Sequence, residues 1–176
     1  MHMNRIVIVG NSGSGKSYLA ARLGERIAIS PISLDQLFWE PGGHNHKRPE
    51  ALVFADIAAL KPQPQWIVEG VFGALAGRFM DNAECLIWLD MPWEICQLSL
   101  LQRGSESSKQ LDPQQAEANF QTLLVWAGDY WNRESPNSYR AHKALYDAFP
   151  RRKLILQSRQ QVDQLIADPG LLEMDG

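Results

Sequence analysis

The chain has 176 residues, 45% of them hydrophobic and 21% charged. That is enough for one domain with its own core, and it excludes a collagenous chain, a disordered acidic tail and a disulfide-stapled miniprotein. Lys plus Arg number 17 and Asp plus Glu 20, a net charge of −3, which argues against direct DNA binding over a broad basic surface.

The N-terminus leads straight into the β-branched run Arg5-Ile6-Val7-Ile8-Val9, with no signal peptide pattern. Nothing approaches the roughly 18 apolar residues of a membrane span, so no membrane partner and a cytoplasmic location are expected. Ile6 to Val9 reads as a buried strand, and Leu19, Leu23 and Ile27 then recur at helical spacing. A weaker strand follows at Pro31-Ile32-Ser33-Leu34. Pro49 suits the first turn of a helix over Ala51 to Leu60. Trp66 to Val68 and Leu86 to Leu89 are further short apolar strands, and Pro92 opens a helix over Trp93 to Arg103. Cys85 and Cys96 lie in apolar runs and read as small buried side chains.

Gly104 to Asp112 is polar and Ser-rich and reads as a mobile loop. Asp112-Pro113 is an N-cap and first helical residue. Ala116, Phe120, Leu123, Leu124 and Ala127 mark one face of the helix that follows, with Pro136 as its stop. Tyr139 to Phe149 is a second helix, and Leu154 to Leu156 the last strand. The alternation of strand and helix predicts a parallel sheet covered on both faces. Residues 1–176 form one domain, with a helical insertion at about 104–150 before the last strand.

After the first strand stands Gly10-Asn11-Ser12-Gly13-Ser14-Gly15-Lys16-Ser17, a G-x-x-x-x-G-K-S phosphate-binding loop between strand and helix. Glycines let the loop wrap so that backbone N–H groups of residues 12 to 17 point at phosphate oxygens. The helix start adds partial positive charge. Lys16 supplies a full charge to the β/γ-phosphates, and Ser17 presents a hydroxyl to Mg²⁺. No Asn-Lys-x-Asp guanine reader and no Leu-Ser-Gly-Gly signature occurs, which turns the reading from GTPases and transporter ATPases to small-molecule phosphoryl transfer.

With Leu34-Asp35-Gln36-Leu37-Phe38-Trp39, Trp66-Ile67-Val68-Glu69-Gly70 and Leu89-Asp90-Met91-Pro92, the chain resembles the nucleoside-monophosphate-kinase-like P-loop kinases over nearly its whole length. Among them it is most similar to the adenylate-kinase-like bacterial topology modulation proteins. The resemblance implies a three-layer α/β/α P-loop NTPase fold, with a five-stranded parallel sheet in the order 2-3-1-4-5 and a helical lid before the last strand. It also implies ATP and Mg²⁺ as cofactors and a small-molecule phosphate acceptor. The activity implied is an ATP- and Mg-dependent kinase. The alternative is a nucleotide-regulated, DNA-topology-associated binding protein without kinase turnover. Oligomeric state is not legible.

Residue by residue, Gly10, Ser12, Gly13, Ser14, Gly15, Lys16, Ser17 and Tyr18 form the nucleotide set. Asp35, placed at the end of the second strand, orients or deprotonates the acceptor, or else caps the Gln36-Leu37-Phe38 turn. Glu69 and Asp90 compete as the metal-side acid beside Ser17. Glu69-Gly70 departs from the usual Asp and lacks the Pro-Arg of adenylate kinases, which weakens a nucleoside-monophosphate acceptor. Trp39, Gly70 and Arg78 are candidates for the acceptor side, with Phe38 beside Trp39. Arg103 is expected to stack on the base and approach the phosphates, with Lys16 and Asp35 as the catalytic set. Arg133 and Arg140 are weaker lid candidates. Ser158-Arg159 follows the last strand, where the adenine pocket closes in such kinases, and Ser158 reads equally well as a helix N-cap. His44 and His46 read as part of a flexible loop, and Trp126, Tyr130 and Trp131 as a helix face packed on the sheet.

Overall fold

The computed structural model describes residues 3–42, 46–104 and 112–172. His44 and residues 105–111 of the Ser-rich loop lie outside them. In chain order the elements are β1 (Arg5–Gly10), α1 (Lys16–Ile27), β2 (Pro31–Ser33), α2 (Leu34–Phe38), α3 (Glu50–Leu60), β3 (Trp66–Gly70) and α4 (Gly73–Gly77). Then follow β4 (Cys85–Leu89), α5 (Trp93–Arg103), α6 (Pro113–Gly128), α7 (Tyr139–Ala148), β5 (Arg152–Leu156), α8 (Arg159–Ala167) and a 3-10 turn over Pro169–Leu172.

The strands form one sheet in the order β2-β3-β1-β4-β5, every neighbouring pair parallel. Every residue of β3 and β4 is buried, as a sheet covered on both faces requires. The alternation of β1 divides the core. Ile6 and Ile8 face Leu19 and Leu23 of α1 and Val162, Leu165 and Ile166 of α8. Val7 and Val9 face Leu34, Val53, Leu75 and Ala76 from α2, α3 and α4. Full burial of each such side chain contributes roughly 1.5–3 kcal/mol. Both thiols are free and buried, and burial pushes Cys85 up to about 12 and Cys96 to about 11, so neither is a nucleophile at neutral pH.

Three local expectations are corrected. The second strand ends at Ser33, so Asp35 sits inside α2 and Ser33 holds the N-cap position. The helix from Pro113 ends at Gly128, well before Pro136. It stops at a glycine, which packs closely on Trp93: a Cβ on Gly128 would stand 3.3 Å from that ring. The Arg133 guanidinium lies 3.6 Å from the Trp126 ring centroid and donates to the carbonyls of Trp126 and Asn137, which holds the chain in a turn. Tyr130 and Trp131 therefore belong to that turn, not to the helix face. α4 is the short helical stretch expected between Gly70 and Arg78.

The arrangement brings the segments after β1, β2, β3, β4 and β5 to the carboxyl edge of the sheet, where open α/β folds bind ligands. No described helix is long and apolar enough to cross a membrane.

Candidate functional site

The loop from Gly10 to Ser17 joins β1 to α1 with Gly13 and Gly15 at φ 78° and 98°, left-handed conformations that favour glycine. Space demands glycine too. A Cβ on Gly13 would fall 2.3 Å from the Cys96 carbonyl oxygen, and one on Gly15 would fall 2.2 Å from Arg159 Nη1. Two of the loop amides are engaged inside it: Ser12 N–H donates to Asn11 Oδ1 at 2.8 Å, and Ser14 N–H to Asn11 O at 3.2 Å. The N–H groups of Gly13, Gly15, Lys16 and Ser17 donate to no acceptor among the described residues. Unbonded amides at the start of a three-turn helix are a receptive setting for phosphate oxygens.

Lys16 is 8% exposed, and its Nζ donates to Asn11 O at 2.8 Å. Burial pulls this ammonium below the usual lysine range, while the carboxylates of Glu69 and Asp35 work against that and the charge of Arg103 adds to it. Lys16, Glu69, Asp35 and Arg103 thus share one electrostatic environment. Ser17 Oγ donates to Glu69 Oε1 at 3.1 Å. Asp90 stands elsewhere: its N–H donates to Leu156 O at 3.0 Å, and its carboxylate accepts from Gln157 Nε2 at 2.9 Å. Of the two competing acids, Glu69 is the one beside Ser17. A hydroxyl and a carboxylate oxygen suit Mg²⁺, which keeps waters and takes phosphate oxygens rather than an all-protein cage. Among the described residues no cluster of three or more His, Cys, Asp or Glu forms such a cage.

Asp35 lies half-buried in the first turn of α2. Gly70 lets α2 approach β3, since a Cβ there would meet Leu34 Cβ at 2.7 Å. Phe38 stacks on Phe72 with centroids 4.4 Å apart, Trp39 meets Phe38 edge-on at 4.8 Å, and Lys47 Nζ lies 5.4 Å over Phe38. Arg78 is not brought to this edge. Its guanidinium lies 3.6 Å from the Phe54 centroid on α3, and neighbouring Phe79 packs on Trp66, the first residue of β3. Tyr18 is 54% exposed, and Arg140 is exposed at the start of α7. Ser158 caps α8, accepting from Gln161 N–H at 3.2 Å. Arg159 reaches back to the phosphate-binding loop, donating to Ser14 O at 2.6 Å, Gly13 O at 3.2 Å and Ser99 Oγ at 2.7 Å.

Sequence reasoning missed two features. Asn11, 1% exposed, also donates from Nδ2 to Ala127 O at 2.9 Å, tying the loop to the end of α6. A buried chain then runs through Trp88, Tyr130 and His142. His142 Nε2 meets Val71 O at 2.9 Å and Nδ1 meets Tyr130 Oη at 2.7 Å. A carbonyl only accepts, so Nε2 carries the proton and Nδ1 accepts from the phenol. Trp88 Nε1–H donates to the phenol oxygen at 3.2 Å. This fixes neutral His142 against Val71, two residues beyond Glu69. Nothing in the local sequence marks a histidine for this role.

Burial, with the charges of Lys16 and Arg133, lowers His142 to about 4 against the bond to Val71 O, which works to raise it. Its unfolded value is about 6.5. Above pH 6.5 both states are neutral. As pH falls from there to about 4, only the unfolded chain takes up the proton, so stability is lost across that window, by on the order of 3 kcal/mol. Urea melts at a series of pH values should show this component in the wild type and not in His142→Gln. Parallel pH curves for the two proteins would contradict the assignment.

No family profile and no curated protein matches the sequence. Solved structures do match the fold. A gluconokinase from Sinorhizobium meliloti 1021 superposes with a TM-score of 0.52 at 14% identity, covering 95% of this chain and 90% of its own. Shikimate kinase from Acinetobacter baumannii, solved in complex with shikimate, gives 0.55 at 12% identity, with coverage of 97% and 93%. Shikimate kinase from Bacteroides thetaiotaomicron gives 0.52 at 16%, with 98% and 99%. The chain therefore has the α/β/α fold of the P-loop kinases, with the five-stranded order β2-β3-β1-β4-β5.

Proposed function

We propose that the chain is an ATP- and Mg²⁺-dependent small-molecule kinase of the nucleoside-monophosphate-kinase-like class, in keeping with its resemblance to the topology modulation proteins, and cytoplasmic. One observation carries the reading. Ser17 bonds Glu69, and the carboxylates of Glu69 and Asp35 act electrostatically on buried Lys16, in a loop where the N–H groups of Gly13, Gly15, Lys16 and Ser17 donate to no acceptor among the described residues. In this reading those amides and Lys16 hold the β- and γ-phosphates. Ser17 and Glu69 would hold Mg²⁺ directly or through water, and the ion would neutralise phosphate charge.

The acceptor hydroxyl lies against Asp35. Its oxygen bonds to the γ-phosphorus as the bond from that phosphorus to the β,γ-bridging oxygen breaks, and Asp35 takes the hydroxyl proton. Arg103 neutralises charge developing on the transferred group. The helices α6 and α7, between β4 and β5, take the place of the lid. Phe38, Trp39 and Phe72 wall the acceptor side. The net charge of −3 favours this reading over a DNA-directed nucleotide switch, whose affinity would rest on phosphate contacts and fall steeply with salt.

Thermal denaturation with a non-hydrolysable ATP analogue and Mg²⁺ tests the nucleotide half. At 100 times the dissociation constant the ligand should add about 2.7 kcal/mol of stability. An unchanged melting temperature at millimolar analogue would count against it. Adding nucleoside monophosphates and small hydroxy compounds to the same assay should then single out the acceptor class by a further shift.

A further inference from the structure

The position of Arg159 after β5 suggests a wall of the adenine pocket, yet its hydrogen bonds go to the phosphate loop. Nη1 takes Ser14 O at 2.6 Å, and Nη2 takes Gly13 O at 3.2 Å and Ser99 Oγ at 2.7 Å. Ser99 is itself fixed, donating to Ile95 O at 2.9 Å on α5. The guanidinium is thus wedged between the loop and α5, close enough to Gly15 to forbid a Cβ there.

Peptide planarity turns this into a statement about the other side of the loop. The described residues contain no cis peptide bond, and in a trans peptide the C=O and the following N–H point in opposite directions. Two successive carbonyls, of Gly13 and Ser14, face Arg159, so the N–H groups of Ser14 and Gly15 face away from it. That far side is marked. Ser14 N–H reaches Asn11 O, and the same oxygen receives Lys16 Nζ. Ser14 N–H is spent on Asn11 O, while Gly15 N–H, which donates to no acceptor among the described residues, is turned away from Arg159 and left to join the other unbonded loop amides in binding an anion.

We infer that Arg159 is a positioning residue for phosphate binding: it pulls the Gly13 and Ser14 carbonyls outward and so keeps Ser14 N–H on Asn11 O and aims the Gly15 N–H inward. The inference rests on the nucleotide-binding reading above and assigns Arg159 to the phosphates rather than the base. The fork geometry matters, because one planar guanidinium spans three acceptors where a lysine ammonium presents a point charge.

The test compares two probes, MgATP and Mg-tripolyphosphate, which carries the phosphates without a base. Affinities are measured by calorimetry on the wild type, Arg159→Lys and Ser99→Ala. Both probes should weaken in Arg159→Lys by the same factor, on the order of tenfold to a hundredfold, leaving their ratio at the wild-type value. Ser99→Ala should show a smaller loss, again equal for both, and this arm decides the matter if Arg159→Lys does not fold. Loss of MgATP affinity with tripolyphosphate unaffected would make Arg159 a base contact and overturn the inference alone. Undiminished binding of both probes in the folded variants would overturn it as well. Failure of the wild type to bind either probe would remove the nucleotide reading and this inference together.

Discussion

Lys16→Ala is expected to reduce phosphoryl transfer by on the order of 10³-fold, the upper end of what loss of one preorganised charge-stabilising donor costs. The ammonium is 8% exposed and held at 2.8 Å by Asn11 O, next to Glu69 and Asp35. It is thus a buried cation held within the loop and felt by both carboxylates. Alanine removes the charge and leaves the loop backbone alone, because the fold of the loop rests on Gly13, Gly15, Asn11 and Arg159. Circular dichroism should therefore be unchanged while MgATP affinity and turnover fall. A variant that turns over at the wild-type rate would show that Lys16 does not act on the transferred phosphate.

Asp35→Asn separates chemistry from stability. The residue lies in the first turn of α2, with Ser33 and not Asp35 at the N-cap position. Its backbone oxygen accepts from Trp39 N–H at 2.9 Å, a bond the substitution keeps. The lost negative charge near a helix start costs about 0.3–1 kcal/mol, so the variant should fold. Removal of a general base should lower transfer by roughly 10²–10⁴-fold with MgATP affinity near the wild-type value. A large drop in melting temperature with full activity in the folded fraction would instead make Asp35 structural.

The parts of this site that were legible in the sequence are the local ones. Gly10 to Ser17 can be read because a strand, a tight loop and a helix start constrain neighbouring residues in one short window. Ser158 and Asp112 could be recognised as caps for the same reason, each accepting from the amide three residues on. What stayed hidden depends on distant pairings. Asn11 meets Ala127 across 116 positions, Arg159 meets Ser14 across 145, and His142 meets Val71 across 71. The side chains alone give no sign of these partners, since an Asn after Gly10 or an Arg after Ser158 reads equally well as a solvated surface residue. Helix α6 ends at Gly128, where Trp93 and Arg133 pack, and the sequence reading passed over that glycine for Pro136. Arg78, proposed for the acceptor side from its closeness in sequence to Glu69-Gly70, follows α4 and packs its guanidinium on Phe54 of α3, a contact the sequence does not announce. The choice between Glu69 and Asp90, open on sequence pattern, is narrowed by one hydrogen bond from Ser17.

The kinase reading is tested most directly by phosphorus NMR of MgATP incubated with the protein and a panel of nucleoside monophosphates and small hydroxy compounds. The account predicts a new phosphomonoester or phosphoanhydride signal that grows with one acceptor in step with ADP and is lost in Lys16→Ala. ADP and inorganic phosphate appearing at one rate whatever the acceptor, or no turnover beside demonstrated MgATP binding, would contradict it.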